Sequence, residues 1–210
     1  NDVDLILMAS HGRSGPKRWV LGSVAGKILN AAKTPVLLVR AGIPEQIPYD
    51  EWPQRTIIVP LDGSELAESV LPHAEALARQ GDSKMITVIL VRVCEPPTMP
   101  AYYTPELAEI PFNWGQYAQQ ETARCKQAAT EYLARIETRF KNSGINVRSE
   151  VLVGKATDEI VAFANKTPYN LIVMATHGRS GLSRVVYGSV AANVLVGVSS
   201  PLLLVKPTAK

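Results

Sequence analysis

A chain of 210 residues with 46% hydrophobic and 20% charged side chains has the make-up of a globular chain of one or two domains. Its formal charge of +3 comes from scattered Lys and Arg, and the pI near 8.9 is only mildly basic, so nucleic acid is not an expected partner. No run approaches the roughly 20 apolar residues of a membrane span, and the opening NDVDLILMASHG turns polar too early for a signal peptide; a cytoplasmic protein is expected. Cys94 and Cys125 have neither metal-ligand spacing nor the pattern of a disulfide framework, and are read as buried, inert thiols.

In chain order, the first element is a strand near Leu5 to Met8, followed by a glycine-punctuated stretch, a helix after Gly22 and a strand over Val36 to Arg40. AGIPEQIPYDEWPQR, residues 41–55, carries three prolines and no period, and reads as a linker. TIIVPL (Thr56 to Leu61) is a β-branched apolar run, suited to a strand buried on both faces, with the turn signal DGS behind it. Leu66, Ala67, Val70, Leu71, Ala74, Leu77 and Ala78 then recur at the spacing of one helix. MITVILVRV (Met85 to Val93) is a second strand. The stretch from Glu95 to Gly115, with five prolines, is read as a surface loop packing Tyr102, Phe112 or Trp114 on its own domain, a lid or partner surface being the alternative.

Cys125, Ala129, Tyr132, Leu133, Ile136 and Phe140 mark one face of a long helix. VRSEVLVG (Val147 to Gly154), a short helix through Ile160, Val161 and Ala164, NLIVMA (Asn170 to Ala175), a helix near Ser189 to Val196 and LLLVK (Leu202 to Lys206) complete the alternation. Strands alternating with helices imply a parallel sheet covered on both faces.

MATHGRSGLSRVVYGS (Met174 to Ser189) nearly repeats MASHGRSGPKRWVLGS (Met8 to Ser23), and a constant offset of 166 residues holds without a gap from Leu5/Leu171 to Val39/Val205. Residues 1–40 therefore correspond to the back half of the complete α/β unit at residues 56–207. In the later copy Gly178 follows a strand, and Gly188 with Ser189 stands where the next helix begins. Glycines let backbone approach a ligand closely, and a helix N-terminus presents unpaired N–H groups, so the arrangement suits an anion, with the Ser189 hydroxyl as a further donor. The alternative is that the glycines only turn the chain and Ser189 only caps a helix. Walker A spacing, a G-x-G-x-x-G fingerprint and a G-x-S-x-G elbow around Ser180 are all absent. His177 and His11 are read as turn residues that orient the loop.

Two residues, Gly, nine residues and Gly-Ser after a fourth strand resembles the pattern of the universal stress protein family. The resemblance extends to VPLDGSELAESVL at the first strand of the complete unit and VLVGKATDEIVAFA at its third. It implies an open five-stranded parallel sheet of order 3-2-1-4-5 with helices on both faces, plus an N-terminal β-α-β fragment of a second copy, in a tandem member truncated within its first domain. It implies ATP along the carboxyl ends of strands one and four, with Mg²⁺ bridging phosphate oxygens and no metal ligand from protein side chains. Asp62 would meet the adenosine moiety, Val93 would line the adenine pocket and Gly154 would lie near the ribose. Ala175, Gly178, Gly188 and Ser189, with the Val190 amide, would surround the phosphates. Arg179 and, less favourably, Arg184 read either as cations that neutralise phosphate charge or as solvated loop residues. Ala175 departs from the glycine that begins the family's ATP-binding pattern, adding a methyl beside the phosphates. Asp62 also reads as an N-cap with Glu65 completing a D-x-x-E box. The expected function is an ATP-binding stress-response sensor or regulator; the alternatives are a non-nucleotide dimeric interaction module and a slow ATPase. Pairing is expected through the last strands, Val36 to Arg40 against Leu202 to Lys206, within a chain or across a homodimer.

Overall fold

The structure, a computed structural model, describes residues 3–9, 22–39, 55–80, 85–99, 113–177 and 188–207. The N-terminal fragment contains β1 (Ile6–Ala9), α1 (Ser23–Ala31) and β2 (Val36–Val39). The complete unit runs β3 (Arg55–Pro60), α2 (Glu65–Glu68), α3 (Leu71–Arg79), β4 (Ile86–Cys94), α4 (Trp114–Asn142), β5 (Val147–Val153), α5 (Ala156–Lys166), β6 (Asn170–Ala175), α6 (Ser189–Gly197) and β7 (Leu202–Val205). The linker lies outside the described residues except for Arg55, which begins β3.

Among the described residues the sheet holds seven strands, in the order β1-β2-β7-β6-β3-β4-β5, rather than the expected five. Its last five places, read from the far edge, are strands three, two, one, four and five of the complete unit, so that expected order is present inside a larger sheet. The two further strands join because β2 runs antiparallel to β7, Val36 opposite Leu204 and Leu38 opposite Leu202. An apolar edge with unpaired N–H and C=O groups is thereby covered by an equally apolar strand of the same chain. All the other pairings are parallel.

Alternation along the strands divides the core into two layers. Val59, Val88, Leu90, Leu133 and Phe140 pack on the face covered by α3 and α4. Ile58, Ile89, Ile172, Val194 and Leu29 pack on the face covered by α5, α6 and α1. The sequence read one helix from Leu66 to Ala78, but the structure breaks it into α2 and α3, with Pro72 in the first turn of α3. A proline has no N–H to give the preceding turn and its ring crowds that turn's carbonyl, so the helix restarts there.

Cys94 and Cys125 are not free thiols: they form a disulfide. The alternation of β4 turns Cys94 toward α4, and the docking of that helix brings the two Cα atoms to 5.9 Å, inside the range a disulfide spans. A separation of 31 residues across a proline-rich stretch carries no sign of this proximity.

Candidate functional site

The chain passes from β3 outward to β4 and β5, then returns to lay β6 on the other side of β3. Connections on either side of β3 therefore diverge, and a crevice opens beyond the carboxyl ends of β3 and β6, where open α/β sheets receive ligands. A cavity of about 490 Å³ lies there. Pro60, Leu61 and Asp62 form its floor at the end of β3, while Val91, Arg92, Val93 and Glu95 come from the end of β4. Met174 to His177 enter from the end of β6, and Gly188 to Ala191 from the start of α6. Ala156 and Ile160 of α5 and Cys125 of α4 close the sides.

Six of the residues named from the sequence line this one cavity: Asp62, Val93, Ala175, Gly188, Ser189 and Val190. Gly178, Arg179 and Arg184, with Ser180, lie outside the described residues, as does His11. Gly154 does not line the cavity, and its local geometry accounts for the glycine. Its φ of +148° is unsuited to an L side chain, and a β-carbon there would come within 2.8 Å of Glu159 Cγ. Gly188 is different. It stands at the N-cap of α6 with φ −60°, and a β-carbon would meet Thr176 O at 3.4 Å and His177 Cα at 3.7 Å, both ordinary contacts. The backbone alone does not demand glycine at 188, although the side chain's absence leaves the first amides of α6 open to the cavity.

Asp62 is not the N-cap of a D-x-x-E box. Ser64 occupies that position, its Oγ accepting from the Ala67 amide at 3.1 Å. Asp62 Oδ1 instead accepts from the Ser64 amide at 2.9 Å and the Ser64 hydroxyl at 2.6 Å, a turn one step ahead of the helix. The serine wins because its shorter side chain reaches the third amide from directly before the helix. Asp62 is thus held at the cavity floor by the residue that caps α2.

The loop leaving β6 is clamped at its root. The Thr176 amide donates to Val205 O at 2.9 Å, and Thr176 O accepts from the Gly188 amide at 2.7 Å, tying β6 directly to the start of α6. His177, 6% exposed, has Nδ1 3.1 Å from the Thr176 hydroxyl. It lines the cavity. The Ala175 methyl belongs to the apolar cluster of Val173 and Val205, so the departure from glycine is partly absorbed by the core.

Arg92 was not singled out from the sequence. Its guanidinium lies 4.9 Å from the centre of the Tyr132 ring, and the residue lines the cavity, putting a cation at the end of an otherwise apolar strand. Burial first, then the Glu68 carboxylate, push the Tyr132 phenol well above its ordinary range, so the ring stays neutral under the cation. The legible signal was a single charge interrupting the apolar run of β4 near its carboxyl end. Across the cavity, Glu95 Oε1 accepts from the Ala156 amide at 2.7 Å, capping α5 from a distant part of the chain. Among the described residues no group of three or more His, Cys, Asp and Glu side chains is placed to hold a metal, and no helix is long and apolar enough to cross a membrane.

Comparison with known proteins gives a consistent result. Residues 1–40 and 54–206 match the universal stress protein family. A universal stress protein of Methanocaldococcus jannaschii is 30% identical over 156 residues, which cover 74% of this chain and 84% of that protein. A universal stress protein of Mycobacterium tuberculosis is 26% identical over 211 residues, covering 98% of this chain and 63% of its own length. Among solved structures, a universal stress protein from Archaeoglobus fulgidus has the same fold, with a TM-score of 0.65 at 19% identity over 97% of this chain and 62% of that one.

Proposed function

The chain belongs to the universal stress protein family, and from that premise we propose that it binds ATP and acts as a stress-response sensor or regulator. The observation that carries the reading is the convergence at one cavity of an apolar wall, a fixed cation and an open helix start. Val93 and Ile160 offer a surface for a base, while Gly188, Ser189 and Val190 bring the first amides of α6 to the same space. The Gly188 amide is taken by Thr176 O, but the Ser189 and Val190 amides have no earlier turn to pair with, and the helix dipole adds positive potential, so phosphate oxygens are stabilised there. Arg92 lends a full positive charge. Mg²⁺ fits this site as a companion of the triphosphate, since it keeps most of its waters and needs only phosphate oxygens; it would neutralise phosphate charge when bound.

Asp62 carries the nucleoside end in this reading, and the Ser64 donors that hold its Oδ1 keep the carboxylate oriented. Residues 1–40 contain no counterpart of Asp62, Val93 or Arg92, so these forty residues do not form a second such site by themselves. β2 lies antiparallel along the outer edge of β7 within the chain, which supports last-strand pairing inside one chain.

The test is calorimetry on the full chain with ATP and with adenosine, alongside a phosphate-release assay. Gly188→Val, which sets a branched side chain over the α6 amides, should weaken ATP about tenfold or more while adenosine changes little; Gly188→Ala provides a milder check on folding. Equal losses for the two ligands would remove the phosphates from α6. Failure of either ligand to bind would favour the interaction module, and sustained phosphate release would favour the ATPase.

A further inference from the structure

The cavity wall contains a group that nucleotide binding does not use. Cys94, at the end of β4, is fully buried, whereas its disulfide partner Cys125 is only half-buried and lines the cavity. Cys125 also marks a boundary along α4. All the buried residues of that helix, Ala129, Tyr132, Leu133, Ile136 and Phe140, come after it. From Trp114 to Arg124, about three turns, no side chain is buried. The disulfide is therefore the first firm attachment of α4 to the sheet, at the point where the helix leaves the core and passes the cavity.

We propose that Cys94–Cys125 is a thiol–disulfide exchange site, reduced by a dithiol through the cavity, and that its state sets how firmly the leading turns of α4 are ordered. Cys125 Sγ is the sulfur within reach, and Cys94 Sγ is the leaving group. One thiolate of the reductant attacks Cys125 Sγ; the protein S–S bond breaks, and its electron pair leaves on Cys94, which takes a proton. The reductant's second thiolate then attacks its own sulfur in the mixed disulfide, expelling Cys125 as a thiol after protonation. The dithiol loses two electrons and two protons and becomes a disulfide, while the protein gains two thiols. With the staple cut, the turns ahead of Cys125 keep partly buried side chains, Trp114 in ring contact with Tyr117 among them, but no fully buried one, and helical segments of that length are marginal in water without a buried face. The inference holds whichever ligand the cavity takes.

The experiment treats the full chain with dithiothreitol in native buffer, quenches with iodoacetamide, and reads intact mass and amide hydrogen exchange. Without reductant no cysteine should be alkylated; after dithiothreitol two alkyl groups should be added without any denaturant. Exchange over residues 114–124 should rise about tenfold on reduction, while residues 129–140 hold their protection. Cys125→Ser should show the faster exchange at 114–124 before any reductant and no response to it. If that variant does not fold, the oxidised and reduced native chains still decide the matter. Alkylation before reductant, reduction only in denaturant, or equal exchange at 114–124 in the two states would each overturn the proposal.

Discussion

The N-terminal fragment and the end of the complete unit are near-copies of one text placed in different surroundings. Leu7 of β1 and Val173 of β6 occupy the same position in the repeat, yet Leu7 is 66% exposed and Val173 is fully buried. β6 lies between β3 and β7, with helices over both faces. β1 is an edge strand, and only the face carrying Ile6 and Met8 packs against the core with α1. Burial is therefore not a property of the copied sequence but of the neighbours that its layer supplies. The same contrast reaches the chemistry: both copies present Gly-Ser at a helix start, but only the second sits beside β3 and β4, whose ends complete a cavity.

The contrast breaks most completely if the strand joining the two regions is disrupted. Leu38, 0% exposed in β2, faces the cluster shared by α1 and α6. Leu38→Asp buries an unpaired carboxylate and should cost on the order of 4 kcal/mol of fragment docking. Hydrogen exchange should show Val36 to Val39 losing protection while β4 and β5 keep theirs; uniform loss across the sheet would mean that the two regions unfold as one. A smaller effect sharpens the comparison between equivalent positions. Val173→Ala should lower stability in urea by about 2 kcal/mol, whereas Leu7→Ala should change it by less than about 0.5 kcal/mol. Similar losses at both would show β1 to be covered in solution.

A further effect, confined to alkaline pH, belongs to the complete unit alone, since residues 1–40 have no counterpart of Tyr132. An ordinary tyrosine ionises near 10.0, and burial, reinforced by Glu68, raises Tyr132 above that. Above about pH 10 the unfolded chain releases this proton while the folded chain retains it. Stability from this group is fully present below that pH and is lost as pH rises toward the folded value. Tyr132→Phe should remove about 1 kcal/mol of the alkaline loss by pH 11, read as a flatter dependence of the urea midpoint on pH. An unchanged slope would place Tyr132 in an ordinary solvent environment.

Much of this molecule was legible in the sequence because strands buried on both faces require continuous apolar runs, and helices packed on one side require a period near 3.6. TIIVPL, the β4 run and NLIVMA announced central strands, and the gapless offset of 166 residues announced the second copy. The clustering of Asp62, Val93, Gly188 and Ser189 followed from strand order, since carboxyl ends of neighbouring strands meet at one edge. What remained hidden depends on contacts between residues far apart in the chain. Ser64 rather than Asp62 caps α2 because of where the helix begins, and the space beside Gly154 is taken by the Glu159 side chain. Cys94 and Cys125 pair only because β4 and α4 are docked in one register. The pairing of Val36 to Arg40 with Leu202 to Lys206 was legible as an expectation, within a chain or between chains; the folded sheet places β2 on β7 of the same chain, because hydrophobic burial is non-directional and the available edge selects the partner.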